Sequence, residues 1–360
     1  MKDCLRRQSR RVLVGGICIG GDAPITVQSM TNTDPHDLPA CLAQVRALAD
    51  AGCELIRLTV PDKPAARVFS YLREAGITTP LVADIHFDHT LALEAIAAGA
   101  DKIRLNPGNI GGQDRVRTVA AACRSAGVPI RIGVNGGSLE RELLAKYGGP
   151  TAEALAESAL SHAALLEACD FYDIVLSVKA STVPTMIAAN RLLAERCDYP
   201  LHLGVTEAGG ERAGTVKSAV GIGALLAEGI GDTVRVSLTA DPVREVAAAR
   251  EILDALGLST RPGMRIVSCP TCGRTRIDLV ALGEAFEAAA AREGLLDIPM
   301  TVALMGCAVN GPGEAREADI GIAGGCHEAL LFEKGEIIGK IPEDAVIPTL
   351  VARIRAAAGR

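Results

Sequence analysis

Short runs of aliphatic and β-branched residues alternate with helical stretches eight times along this chain of 360 residues. The apolar runs are Ile25–Ser29, Leu55–Val60, Leu81–Ile85, Lys102–Leu105, Ile130–Val134, Ile174–Val178, Leu201–Val205 and Thr233–Leu238. Strands that alternate with helices form parallel sheets. The eight units fall within residues 25–257, close to the roughly 250 residues of a typical (β/α)8 barrel. We therefore predict an α/β fold with a TIM-type barrel, and a doubly wound open sheet is the alternative.

The intervening stretches have the 3.6-residue apolar period of helices that pack against a sheet. They are Leu38–Asp50, Ala65–Glu74, Thr90–Ala98, Asp114–Ser125, Thr151–Ala168, Pro184–Arg196, Val216–Glu228 and Pro242–Leu256. Several begin with a good cap or a first-turn proline, such as Thr151 and Asp241-Pro242.

A different pattern follows residue 257. Residues 259–263 (STRPG) are typical of a linker. Beyond it we predict strands at Met264–Ser268, Met300–Met305 and Asp319–Ala323, a hairpin at Ala329–Ile341, and helices at Leu279–Glu293 and Ala345–Ala358. The predicted organisation is a barrel domain at residues 1–258, followed by a smaller α/β domain at residues 264–360.

Composition excludes several classes of protein. Hydrophobic residues make up 49% of the chain, so it can bury a large core and is not disordered. Aromatic residues are 2%, Trp is absent and the net charge is −6, which argues against nucleic-acid binding. There is no membrane-length apolar run and no apolar stretch typical of a signal peptide. Eleven cysteines, an odd number, do not fit a secreted disulfide framework, so we expect a cytoplasmic protein.

Cationic side chains recur in or directly after the predicted strands, where barrel enzymes place their active sites. They are Arg57, Arg104, Arg131, Lys179 and Arg235. A cation inside a barrel costs desolvation free energy unless it is paired. The carboxylates at the strand ends, Asp84 and Glu207, are too few to neutralise five cations. The pattern predicts a ligand with more than one negative charge, whose phosphate oxygens would suit arginine. The alternative is that these side chains face outward and are solvated.

Three further strand-end residues could carry chemistry. Asp84 and His86 share strand parity, so they face the same side and could position a ligand or move protons. Glu207 lies beside glycines and could be a general acid or base if burial or a nearby charge tunes its pKa. A structural histidine and a loop carboxylate are the simpler alternatives.

The cysteines of the second domain have the spacing of metal ligands. Cys269 and Cys272 form a C-x-x-C directly after a predicted strand, and Cys307 follows the next strand. Half of a zinc ribbon is one interpretation, but no second ligand pair follows. Three thiolates with a weaker fourth ligand suit a cubane iron–sulfur cluster. The fourth ligand could be Glu314, Cys326 or His327, and spacing alone favours Cys326.

The other cysteines have no such spacing, and we expect them to be small buried residues. They are Cys4, Cys18, Cys41, Cys53, Cys123, Cys169 and Cys197.

Seven sequence strings together resemble one enzyme family. They are residues 27–33 (VQSMTNT), 82–87 (VADIHF), 106–111 (NPGNIG), 131–135 (RIGVN), 206–210 (TEAGG), 269–272 (CPTC) and 310–314 (NGPGE). The family is the bacterial 4-hydroxy-3-methylbut-2-enyl diphosphate synthases of the non-mevalonate isoprenoid pathway. The resemblance covers essentially the whole chain, without the large insertion of the plant-type members.

The resemblance implies a two-electron reductive ring opening of 2-C-methyl-D-erythritol 2,4-cyclodiphosphate, with loss of water. It implies a [4Fe–4S] cluster bound by Cys269, Cys272, Cys307 and Glu314, which replaces Cys326 as the expected fourth ligand. Electrons would come from flavodoxin or ferredoxin. Members of the family are head-to-tail homodimers in which the cluster domain of one subunit closes over the barrel of the other.

The resemblance also implies the roles of the barrel residues. The expected catalytic residues are Asp84, His86, Glu207 and Glu314, with Glu207 assisting proton transfer. The expected substrate-binding residues are Arg57, Arg104, Asn106, Arg131, Asn135, Lys179, Arg235 and Ser237. Two other classes of function stay open from the sequence. One is a zinc-knuckle binding protein that uses the barrel as a scaffold, and the other is a redox-neutral, phosphate-binding barrel enzyme with a structural metal.

Overall fold

The computed structural model describes residues 6–307 and 317–359. The chain divides into two compact units, residues 1–259 and residues 260–360. Each unit has its own β-sheet and its own hydrophobic core.

The first unit is a closed parallel barrel. Its strands are β3 (Thr26–Met30), β4 (Leu55–Thr59), β5 (Leu81–Asp84), β6 (Lys102–Leu105), β7 (Ile130–Asn135), β8 (Ile174–Lys179), β9 (His202–Leu203) and β10 (Thr233–Val234). They pair in chain order around the sheet, β10 pairs with β3, and a bridge between Leu176 and Leu201 joins β8 to β9. A doubly wound open sheet needs a reversal of strand order, and this sheet has none. The predicted barrel is confirmed.

Helices follow the strands and cover the barrel. They are α1 (Leu38–Asp50), α2 (Arg67–Glu74), α3 (His89–Ala97), α4 (Gln113–Ala126), α5 (Arg141–Tyr147), α6 (Ala152–Glu167), α7 (Val183–Arg196), α8 (Glu211–Ala227) and α9 (Pro242–Ala255). The predicted caps operate at two of them, because the side chains of Thr151 and Asp241 accept hydrogen bonds from first-turn N–H groups. Helix α5 is an addition that the sequence pattern did not indicate.

An antiparallel hairpin, which we did not predict, precedes the barrel. It consists of β1 (Val12–Val14) and β2 (Ile17–Ile19). Its side chains Val12, Val14 and Ile19 form one buried cluster with Leu55 and Val82. Because Leu55 is the first residue of β4 and Val82 is the second residue of β5, the hairpin closes the amino-terminal end of the barrel. Polar groups gathered inside the barrel are therefore shielded from water on that side.

Strands β9 and β10 are shorter than expected. We predicted five and six residues, and the structure pairs only two in each. One backbone hydrogen bond, from the Arg235 N–H to the Leu203 carbonyl, continues the pairing beyond them. Regular strand pairing therefore ends just before residues 204 and 235, which belong to the candidate site.

Within residues 260–307 and 317–359, the second unit is a mixed five-stranded sheet with two α-helices. Its strands are β11 (Arg265–Ser268), β12 (Thr301–Met305), β13 (Ile320–Gly324), β14 (Glu328–Glu333) and β15 (Glu336–Pro342), in that order across the sheet. The first three are parallel and the last two form the predicted hairpin, turning at Lys334 and Gly335, whose φ angles are both positive. Helices α10 (Leu279–Arg292) and α11 (Val346–Ala357) supply Phe286, Leu350 and Ile354 to its core.

No helix in the described ranges combines the length and the apolar character that crossing a membrane requires.

Candidate functional site

The five cations predicted from the strand ends point into the barrel. Arg57, Arg104 and Arg131 lie on β4, β6 and β7, Lys179 ends β8, and Arg235 directly follows β10. Arg104 and Arg131 are direct register partners. The charges of Arg57, Arg104 and Arg235 lower the pKa of Arg131 after burial, so these side chains lie within electrostatic reach of one another. We call the five residues the cation cluster.

Asp84 is the carboxylate at the centre of the cluster. Its Oδ2 atom lies 2.6 Å from Arg57 Nη2 and 3.3 Å from His86 Nε2, and its Oδ1 atom lies 3.2 Å from Arg104 Nη1. Burial alone would raise the pKa of Asp84, but the Arg57 charge, the His86 hydrogen bond and the Arg104 charge lower it well below its usual range. Asp84 is therefore a fixed anion that orients two arginines, and it brings His86 to the site as predicted.

The second carboxylate at the cluster is Glu245, which the sequence analysis missed. It is buried in the first turns of α9, and its Oε1 atom lies 3.2 Å from Arg235 Nη2. Ser29 donates a hydrogen bond of 2.8 Å to the same carboxylate. A glutamate among the apolar positions Val246, Ala248 and Ala249 was the available signal.

Glu207, in contrast, is exposed on a left-handed backbone (φ 53°). It forms no ion pair with any residue in the described ranges. Of the two strand-end carboxylates named from the sequence, only Asp84 therefore pairs with the cations in the described part of the chain.

Two members of the cluster, Arg131 and Lys179, form no ion pair with a carboxylate within residues 6–307 and 317–359. The charges of Asp84 and Glu245 act on them only from beyond ion-pair distance. Arg131 is 1% exposed, and its Nε and Nη1 atoms have no hydrogen-bond partner in those ranges. Burial, followed by neighbouring positive charges, lowers the pKa of both side chains well below the usual values. Such an excess of buried positive charge favours a multiply charged anion.

Two inward-facing glycines provide the space for these long side chains. A Cβ atom at Gly133 would lie 2.6 Å from Arg104 Nε, and one at Gly204 would lie 2.8 Å from Lys179 Nζ. The backbone of Gly133 also binds the site, because its carbonyl accepts from Arg104 Nη2 and its N–H donates to Asn106 Oδ1, each at 2.9 Å. Asn106 is thereby fixed at the end of β6.

The remaining predicted residues lie at the same strand ends. Asn135 ends β7 and accepts a hydrogen bond of 3.1 Å from the Gly137 N–H. Ser237 is half-buried and lies two residues beyond Arg235. The side chain of His86 is 54% exposed. The polar set predicted from the sequence is therefore gathered at the carboxyl ends of the strands.

The close fit at Gly133 yields a prediction. Gly133→Ala should displace Arg104 from Asp84, raise KM for the substrate about tenfold and lower the stability by about 1–3 kcal/mol, as overpacking does. Gly223→Ala on α8 is the matched control, since a Cβ there meets no atom within 4 Å. Steady-state kinetics and thermal unfolding measure both effects. An unchanged KM for Gly133→Ala would contradict the placement of Arg104.

In the second unit, three free thiols lie at the carboxyl edge of two neighbouring strands. Cys269 directly follows β11. Cys307 lies two residues beyond the end of β12, the strand that pairs in parallel with β11. The Gly306 N–H donates to the Cys269 sulfur at 3.2 Å. Cys272 is exposed, and hydrogen bonds from the backbone and side chain of Arg274 lower its pKa, which favours the thiolate.

The chemistry of this donor set fits a soft iron centre, because thiolates at strand ends with N–H···S hydrogen bonds are the usual ligands of iron–sulfur clusters. No three His, Cys, Asp or Glu side chains within the described ranges are grouped closely enough to hold a metal ion. Glu314, the expected fourth ligand, lies outside the described residues.

The barrel cysteines offer a contrast. Burial raises the pKa of Cys53 and of Cys123 to about 12, so both are inert thiols. Cys41 is also buried. This agrees with a packing role for these three residues.

Comparisons with known proteins cover both units. A model described as the GcpE TIM-barrel domain matches residues 9–250, and one described as the GcpE protein C-terminal domain matches residues 265–356.

Two curated relatives are similar along nearly their whole length. The protein of Ruminiclostridium cellulolyticum is 56% identical over 355 residues, covering 98% of this chain and 99% of the relative. That of Geobacter sulfurreducens is 55% identical over 350 residues, covering 97% and 98%. Both are named 4-hydroxy-3-methylbut-2-en-1-yl diphosphate synthase (flavodoxin).

Among solved structures, the 3-dehydroquinate dehydratase of Geobacillus kaustophilus superposes with a TM-score of 0.52 at 14% identity, covering 71% of this chain and 100% of that one. At that identity the likeness concerns the barrel fold alone. The family models and the near-complete relatives confirm the resemblance found in the motifs. The chain therefore belongs to the GcpE family, that of the 4-hydroxy-3-methylbut-2-en-1-yl diphosphate synthases.

Proposed function

We propose that this chain catalyses the two-electron reductive ring opening of 2-C-methyl-D-erythritol 2,4-cyclodiphosphate, with loss of water, to 4-hydroxy-3-methylbut-2-enyl diphosphate. Family membership supports the reaction. The single structural observation that carries it is the excess of basic side chains inside the barrel, of which Arg131 and Lys179 have no ion-pair partner in the described ranges. A cyclic diphosphate with two negative charges matches that excess.

The cation cluster would bind the two phosphoryl groups. Arg57, Arg104 and Arg235 are already oriented by Asp84 and Glu245, so they can donate to the ligand without reorganising. Arg131 and Lys179 have no ion-pair partner among the described residues and would contribute the net attraction. Asn106, Asn135 and Ser237 are neutral groups that would form hydrogen bonds with the hydroxyl groups of the sugar-derived part of the ligand. Asp84 holds the His86 ring at 3.3 Å, so the pair would position the ring of the ligand.

Cys269, Cys272 and Cys307 would hold a [4Fe–4S] cluster, with Glu314 as the fourth ligand. When bound, such a cluster supplies electrons singly and an iron whose carboxylate ligand can be exchanged. The lowered pKa of Cys272 and the N–H donated to the Cys269 sulfur support the thiolate state that iron requires. The part played by the chain is to present these sulfurs at one edge of the sheet.

We propose flavodoxin, or a ferredoxin in its place, as the electron donor, because the names of the relatives include flavodoxin. We propose a head-to-tail homodimer, because the linker at residues 259–263 is short and a second subunit could close the barrel against water. Ten free cysteines among the described residues support a reducing cytoplasm.

Glu207 is proposed to assist proton transfer. Glu207→Gln keeps the shape of the side chain and removes the acid, so kcat should fall about tenfold, with KM and iron content unchanged. We place this loss below the usual 10²–10⁴-fold because the side chain is exposed and water can partly replace it. Turnover measured across pH 6–9 checks the effect. An unchanged kcat at every pH would rule out the role.

The reaction itself is tested with anaerobically purified enzyme, the cyclodiphosphate and a chemical reductant. The proposal predicts the linear diphosphate as product, with two electrons consumed per molecule. A redox-neutral product formed without reductant would favour the phosphate-binding barrel enzyme with a structural metal. Binding without any turnover would favour the zinc-knuckle binding protein.

A further inference from the structure

One buried lysine in the barrel interior has no place in the function described so far. Lys102 opens β6, two residues before Arg104, so both side chains face the same side and lie about 7 Å apart along the strand. Lys102 is 0% exposed. Its Nζ atom has no hydrogen-bond partner among residues 6–307 and 317–359. An ammonium group in that position would be a buried and unpaired charge, which is strongly unfavourable.

The charges that act on Lys102 are positive. Arg131 on β7 and Arg57 on β4 are the charges that act on it, and the charge of Lys102 in turn acts on His202 on β9. The carboxylate on the neighbouring strand β5, Asp84, is already engaged by Arg57 and Arg104. His202 is itself 0% exposed, with Nε2 unpartnered in the described ranges and Nδ1 3.4 Å from Thr233 Oγ1.

Lys102 and the five residues of the cation cluster are six basic side chains. Among the described residues, two carboxylates form ion pairs with them, those of Asp84 and Glu245. Four of the six are arginines, which do not release their protons in proteins, so only the two lysines can adjust their charge. Burial, together with the charges of Arg131 and Arg57, lowers the pKa of Lys102 well below its usual value. Of the two lysines, Lys102 is the more deeply buried.

We propose that Lys102 is an uncharged amine in the free barrel and takes up one proton when a dianionic diphosphate binds to the cation cluster. The inference rests on the proposed function. The proton comes from solvent or buffer and adds to the Nζ lone pair, and no electron is transferred. The two negative charges of the ligand offset the repulsion from Arg57 and Arg131 that keeps the amine neutral. Substrate binding is thereby coupled to the uptake of a proton beneath the site.

Linkage gives the sign of the pH dependence. Because the complex binds more protons than the free protein, affinity for the diphosphate falls as pH rises through the range in which the free amine is neutral and the bound one is charged. For one proton the slope is about tenfold in Kd per pH unit. A site in which no group changes its protonation has no such slope.

The test is calorimetric titration of the oxidised, cluster-containing enzyme with the cyclodiphosphate at pH 8, in buffers of different ionisation enthalpy. The dependence of the heat on the buffer gives the number of protons taken up. We expect about one more proton per substrate for the wild-type chain than for Lys102→Met. We also expect the pH slope of Kd to flatten in that variant. Lys217→Met, an exposed lysine on the outer helix α8, is the matched control and should behave as wild type.

No proton uptake by the wild-type enzyme, or equal uptake by wild type and Lys102→Met, would overturn the inference. The wild-type measurement stands even if the variant does not fold, and Lys102→Gln provides a second neutral side chain for the comparison. If wild type and Lys102→Met take up the same number of protons and only His202→Asn takes up fewer, the histidine binds the proton. That result would overturn the assignment to Lys102. If the substrate fails to bind to the wild-type enzyme, the proposed function fails instead.

Discussion

Cys307→Ser is expected to remove most of the bound iron and to lower turnover by more than about 100-fold. Cys307 is one of only three proposed thiolate ligands, and the loss of even an outer partner of a metal ligand costs about 10–100-fold in metal affinity. Its position just beyond β12, beside the Cys269 end of β11, makes it the ligand contributed by the second strand. Iron and sulfide analysis, with absorption spectra of anaerobic protein, measures the effect.

Cys326→Ser is the matched control for that experiment. Cys326 is an exposed free thiol just beyond β13, and spacing alone favoured it as the fourth ligand. With Glu314 in that role, the variant should keep its iron and its turnover. Equal iron loss in both variants would contradict the assignment of Glu314, and full iron content in Cys307→Ser would contradict the three-cysteine site.

Arg131→Met should reduce kcat/KM on the order of 100-fold while iron content stays unchanged. Removing one partner of a buried, hydrogen-bonded charge pair costs about 2–5 kcal/mol, and about 1.4 kcal/mol corresponds to a factor of ten. In the described part of the chain Arg131 forms no ion pair. Its replacement by methionine therefore leaves no buried carboxylate without a partner and should not destabilise the free protein. Stability at or above that of wild type is therefore part of the expected result.

Arg117→Met tests whether the effect is specific to the barrel interior. Arg117 is exposed on α4 and pairs only with Asp114 at i−3 among the described residues, so its loss should leave kinetics and stability within error of wild type. Kinetics and thermal unfolding of both variants measure this. A strongly destabilised Arg131→Met protein with normal kcat/KM would mean that Arg131 is structural.

The barrel could be predicted from the sequence because its strands are short, mostly apolar runs that alternate with helices, as expected for strands buried on both faces. The closure of its amino-terminal end by the β1–β2 hairpin could not be predicted. Strands β1 and β2 have three residues each, and their packing on Leu55 and Val82 depends on contacts distant in sequence. Short strands of this kind have too few residues to establish a period.

The cations of the site could be predicted because they interrupt apolar strands, but their partners could not. Glu245 reaches Arg235 from a helix, and helix periodicity does not indicate which face of the helix meets a strand end. Lys102 carried a usable signal. It alternates with Arg104 in the run KIRL, so strand parity places both on the same face of the strand. The need for Gly133 and Gly204 becomes visible only when the side chains of Arg104 and Lys179 are placed.

If a cluster-binding domain and a diphosphate-binding barrel form one reductive enzyme, metal analysis of the anaerobically purified chain should show it. We expect brown protein with about four iron and four sulfide per chain, and with visible absorption that bleaches on reduction. Addition of the cyclodiphosphate to the reduced protein should restore the colour as electrons pass to the substrate. Colourless protein with stoichiometric zinc and neither iron nor sulfide would contradict the account.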